Sequence, residues 1–142
     1  MQYKFFGAAI CLVLSVCGSS IAIPTENPKS SGPNILGTWE GESKCTAPDS
    51  ACHDEHVIYR IAIVKHVPGK LALHGYKVVK GQLIFMGTLQ CLHDSAQPAL
   101  TCTGNTPRKD IWEFKVSGRV MTGTLTRGEE KVPYRRVNVR KK

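Results

Sequence analysis

His53-Asp54-Glu55-His56 is the densest group of ionisable side chains in the chain. Two imidazoles and two carboxylates have the donor types of a metal site or an acid–base pair, with His93 as the third ligand it would recruit. No HExxH or CxxC spacing frames them, so the plainer reading is a solvated segment entering a strand. Glu40 and Glu42 raise a related question, since two strand steps place them about 7 Å apart on one face. Paired carboxylates at such spacing cleave glycosidic bonds, but these alternate with Trp39, and nothing beside them sets their acidities apart. They read as solvent-facing charges. No serine or threonine stands in a nucleophile context, and there is neither a Gly-rich phosphate loop nor a Gly-x-Ser-x-Gly. The expectation is a protein that is not an enzyme and carries no metal or cofactor.

The cysteines are more informative, and their meaning depends on compartment. Met1 to Lys4 carries one positive charge, Phe5 to Val16 is apolar or small apart from Ser15, and Cys17 to Ala22 is small and mildly polar. That is the layout of a secretory signal peptide over residues 1–22, with Ser20 and Ala22 before the cleavage point. Leu14-Ser15-Val16-Cys17 offers a rival, a lipid anchor on Cys17, against which the Val16 side chain counts. Export leaves Cys45, Cys52, Cys91 and Cys102, an even number that predicts two disulfides in an oxidising compartment. Of three possible connectivities, the two local ones, Cys45–Cys52 and Cys91–Cys102, are preferred. The expected localisation is secreted or periplasmic.

With 142 residues, 42% of them hydrophobic, the chain is too apolar to be disordered and suits one domain. No apolar run outside the N-terminus approaches the ~20 residues of a membrane span. Residues 23–34 hold Pro24, Pro28 and Pro33 among polar residues and read as an extended tether. From Ile35 onward the pattern is β-rich: Ile35–Cys45, His56–Val67, Leu71–Val79, Gln82–Leu92, Ala99–Thr103, Asp110–Ser117, Val120–Arg127 and Lys131–Arg140. Short connections such as Lys80-Gly81 and Gly118-Arg119 join antiparallel neighbours. Eight such strands make a sandwich or an up-and-down barrel, and closure removes exposed edges, which favours the barrel over residues 35–142. Alternation puts Ile35, Gly37, Trp39, Gly41 and Ser43 on one face, Val57, Tyr59, Ile61 and Ile63 on another inward face, and Trp112, Phe114 and Val116 on a third. Leu83, Phe85 and Leu89, or their neighbours, are the expected apolar lining, but whether the interior is filled or cupped is open.

Gly37-Thr38-Trp39 opens the first strand and resembles the Gly-x-Trp signature of lipocalins and related calycin barrels. The resemblance implies an eight-stranded antiparallel barrel whose tryptophan closes the base against a basic residue near the C-terminus. Arg135, Arg136 and Arg140 are the candidates for that partner. The chain lacks a Thr-Asp-x-x-Tyr motif and a C-terminal helix. Small periplasmic protease inhibitors of calycin shape share the Gly-x-Trp opening and a disulfide.

Charge is uneven. Residues 23–107 balance, with seven basic and seven acidic side chains, whereas residues 108–142 carry eleven basic and four acidic ones. Arg140, Lys141 and Lys142 therefore form a candidate patch for an anionic envelope surface or an acidic protein; the alternative is solubility at a strand edge. Export and the lack of interleaved aromatics exclude nucleic acid from the expectation. Two functions remain: a barrel binding a small apolar ligand, or an interaction protein such as a periplasmic protease inhibitor or cell-envelope surface factor with a filled barrel.

Overall fold

The computed structural model describes residues 34–46, 51–94, 96–128, 130 and 132–142. Residues 1–22, read above as a signal peptide, Cys17 among them, and all of the expected tether before Asn34 lie outside the described residues. Eight strands follow in chain order: β1 (Gly37–Cys45), β2 (Glu55–Ile63), β3 (Lys70–Val79), β4 (Gln82–Asp94), β5 (Ala99–Thr103), β6 (Ile111–Ser117), β7 (Val120–Thr126) and β8 (Arg135–Lys141). Each pairs antiparallel with the next, and β8 pairs back onto β1 to close the barrel. The up-and-down barrel expected from the turn spacing is therefore the fold. β2 and β8 are shorter than their apolar runs, because the backbone after Ile63 turns through His66 at φ 64° and Pro133 cannot donate to a ladder.

Connections alternate between the two ends of the barrel, and the ends differ. At one end Trp39 is fully buried, its indole N–H donating to the Ile35 carbonyl at 2.9 Å. Tyr59, paired with Trp39 across the β1–β2 ladder, meets Phe114 edge-on at 6.0 Å, and Phe114 stacks on Trp112. Val57, Leu73, Leu100, Met121, Val137 and Val139 fill the gaps between these rings. The buried residues of β2, β6 and β8 recur at every second position, and β1 buries Trp39 and Ser43 on one parity with half-buried Gly41 between them, as a sheet with one face in the core requires. Ile63 breaks that pattern. It is 63% exposed because β1 pairing ends at Ile61, so the last rung of β2 overhangs the closed end.

The second departure is larger. Gly75 pairs with Gly87 but Tyr76 pairs with Phe85, which leaves Met86 as one extra residue in β4. Gly87 takes φ 142°, a conformation side chains rarely adopt. One extra residue inverts the alternation beyond it, so Leu83 and Phe85 face outward and only Leu89 packs against the core. The expected inward lining is thus corrected at two of its three positions.

Both local disulfides form. Cys45–Cys52 ties the end of β1 to the segment before β2. Cys91 and Cys102 are direct partners in the β4–β5 ladder, with Cα atoms 4.0 Å apart and both side chains buried. This second staple holds β4 where β5, five residues long, gives it a short ladder. Two disulfides are compatible with an extracellular location.

Candidate functional site

The partner of Trp39 is Lys141 rather than an arginine. Lys141 is on the same rung as Trp39, its Nζ 5.6 Å from the ring centroid and donating to the Asn34 carbonyl at 2.5 Å. Arg140 and Arg136 fall on the outward parity of β8 and are exposed. Arg135 does face inward, but at the opposite end of the barrel, on the rung of Cys45. The basic closure exists; alternation assigns it to another residue.

At that opposite end the barrel is open. A cavity of ≈ 390 Å³ runs inward from the mouth between Ser43, Glu55 and Arg135 on one side and Leu73, Met86, Leu89, Trp112 and Leu125 on the other. Tyr59 is also part of its lining, and Thr88, Asn105 and Thr106 belong to the same wall. The volume follows from residues that are small. Gly75, Gly87 and Gly104 line it, and a Cβ built on Gly75 would meet Met86 and Tyr59 only at ordinary contact distance. Apolar cups of this size hold small molecules, and their few polar groups fix orientation.

The polar wall is tightly organised. Arg135 donates through Nη1 to the Ser43 hydroxyl at 2.9 Å and the Ser43 carbonyl at 3.3 Å, and through Nη2 to the His53 carbonyl at 2.8 Å. The Glu55 carboxylate is 3.3 Å from the same guanidinium and 3.5 Å from Lys77 Nζ. A half-buried Arg–carboxylate pair with further hydrogen bonds is held in place, because removing either partner would strand a charge away from water. Burial pushes the Tyr59 phenol well above the usual tyrosine range, offset in part by its hydrogen bond with Ser43 and the nearby Arg135 charge. Tyr59 therefore stays protonated at the cavity wall.

The ionisable cluster of the sequence disperses. Asp54 accepts the Cys45 N–H at 2.8 Å, Glu55 enters the cavity wall, and His56 pairs with Glu40 at 2.8 Å on the outer face. His93 is near the other end of the barrel, on the rung of Leu100. Among the described residues no three His, Cys, Asp or Glu side chains converge as a metal site. Glu40 also binds Lys142 at 2.6 Å, and these hydrogen bonds, Lys142 first and His56 second, hold its carboxyl below the usual range. Glu42 pairs with Lys44 at 3.1 Å.

The C-terminal patch is likewise changed by its partners. Lys142 is engaged by Glu40 and Lys141 by Trp39 and Asn34, while Arg140 and Lys142 are both exposed. β8 is not an edge either, since it pairs with β1 and β7. Sequence reasoning missed the inward role of Glu55 and the glycines opposite it. The signal was present in Ser43, Glu55 and Arg135 at strand ends on inward parity, but their convergence needs the closure of β8 onto β1. Comparison with protein-family models, with curated proteins and with solved structures finds no match for this chain.

Proposed function

We propose that this is an exported, lipocalin-like barrel that binds a small, mainly apolar ligand in its open end and carries out no chemistry on it. The observation that carries the reading is the ≈ 390 Å³ cavity between an aromatic and aliphatic wall and the Ser43–Glu55–Arg135 group. Burial of apolar ligand surface against Leu73, Leu89, Trp112 and Leu125 would supply most of the affinity. Tyr59 and the Arg135 cluster would orient a polar end. The Gly37-Thr38-Trp39 opening and the Lys141 brace support the lipocalin comparison, and the two disulfides support residues 1–22 as an export signal. A protease inhibitor with a filled barrel is the weaker reading, because the interior at the mouth is not filled.

Trp112 makes the test direct, since it lines the cavity whereas Trp39 is sealed at the far end. Titration with the neutral probe N-phenyl-1-naphthylamine should quench Trp112 by energy transfer and saturate at one probe per chain. Gly75→Leu should fill the cup without backbone strain, because Gly75 has no positive φ, and should abolish saturation. A wild-type protein that binds no probe, or a Gly75→Leu variant that binds it equally well, would count against the cup.

A further inference from the structure

The β3–β4 hairpin continues past the barrel wall. β2 pairs with β3 only as far as Lys77, and β5 pairs with β4 only from Gln90 onward. Val78–Leu83 therefore forms a two-stranded ribbon, and β4 from Ile84 to Leu89 has β3 but no β5 beside it. Lys80 and Gly81, at φ 49° and 80°, close it with the tight turn that such a ribbon needs. The ribbon is apolar on both faces. Leu83 and Phe85 point one way at 47% and 57% exposure, while Ile84, Met86 and Val79 are exposed as well. Tyr76 packs on Phe85 at 5.4 Å and Arg60 sits over Tyr76, which stiffens the base of the ribbon.

Charge narrows what can cover it. Between Glu55 and Asp94 the chain carries no acidic residue; of its five basic ones Lys65 and Lys70 flank the β2–β3 turn at the closed end, Lys77 is paired with Glu55, and Lys80 stands at the ribbon turn. A protein groove or a second copy of the chain would cover one face of the ribbon and leave the other in water. A lipid interface surrounds both faces and supplies negative charge for Lys80 at the turn. The unpaired N–H and C=O groups of β4 cannot enter hydrocarbon, so the depth is limited to the headgroup boundary, where water still reaches the backbone.

We propose that the β3–β4 hairpin is a membrane-docking element, with Leu83, Ile84 and Phe85 dipping into the interface of an anionic bilayer beside the mouth of the barrel. The proposal is independent of the ligand cup, because Gly75→Leu acts inside the cavity beside Met86 and leaves Leu83, Ile84 and Phe85 unchanged. Co-sedimentation with phosphatidylcholine vesicles, with and without phosphatidylglycerol, tests it. Wild-type protein should bind the anionic vesicles preferentially, and Leu83→Ser/Phe85→Ser should weaken binding roughly tenfold or more, given the apolar area removed. Ile63→Ser/Leu92→Ser, equally exposed apolar side chains away from the ribbon tip, should leave binding unchanged. Phe85→Trp provides a second reading that needs no loss of stability: its emission should shift to the blue and be quenched by brominated acyl chains. Wild-type protein that stays in solution with anionic vesicles overturns the proposal, as does a Phe85→Trp reporter that bromolipid leaves unquenched. A dimer dissociated by Leu83→Ser/Phe85→Ser would assign the ribbon to a second copy instead and overturn it too.

Discussion

Truncating Trp39 should be among the most damaging single changes in this barrel. The indole is fully buried, its N–H donates to Ile35 at 2.9 Å, and Lys141 lies against its face at 5.6 Å. Truncation of a large buried aromatic costs about 3–5 kcal/mol, cavity included. Trp39→Phe keeps a ring but orphans the Ile35 carbonyl and leaves a smaller void, for about 1–2 kcal/mol. Lys141→Met keeps the apolar stem and removes the charge, so it loses a cation–π contact of about 0.5–1 kcal/mol. Because both mutations remove the same contact, the Trp39→Ala/Lys141→Met double variant should fall short of the summed single effects by about that amount. Arg140→Met, on the outward parity of the same strand, should change stability by less than about 0.5 kcal/mol. Urea denaturation followed by far-UV circular dichroism measures all of these, since tryptophan fluorescence would be altered by the mutation itself. A Trp39→Ala effect under about 1 kcal/mol, or strict additivity with Lys141→Met, would refute the closed-end account.

Alkaline stability should report Tyr59. Its folded-state pKa is raised, so folding is unaffected below the unfolded value near 10; above that the unfolded chain releases the proton and stability falls by up to about 1.4 kcal/mol per pH unit. Tyr59 phenolate absorbance near 295 nm should therefore appear together with loss of the sheet signal, and phenolate from Tyr59 in a protein with intact sheet would contradict its burial. The staple between β4 and β5 should matter more to the sheet than the one at the mouth: Cys91→Ala/Cys102→Ala should cost about 3 kcal/mol by chain entropy alone, read from the shift in urea midpoint. Mass spectrometry of the exported protein should give a chain beginning near residue 23 and lighter by four hydrogens than its reduced form. A diacylated Cys17 would instead show a lipid anchor.

Strand number, order and pairing were legible because they depend on local signals. Period-two burial in β1, β2 and β6, turn dipeptides such as Lys80-Gly81 and the even cysteine count all act within a few residues. Those signals led to an antiparallel barrel, a buried Trp39 and two local disulfides, and the molecule has all three. Parity was less secure. A single extra residue at Met86 turned Leu83 and Phe85 outward, and no composition rule marks a bulge whose cause is the Gly75–Gly87 rung. What required the tertiary structure was everything that depends on closing β8 onto β1. Only closure brings Lys141 over Trp39 at one end and Arg135 to Ser43 and Glu55 at the other, residues some eighty to a hundred positions apart in sequence. The cavity belongs to the same class of fact. Its volume is the space left where three glycines from different strands and loops face a ring of larger side chains, and space is a property of the assembled wall rather than of any stretch of chain.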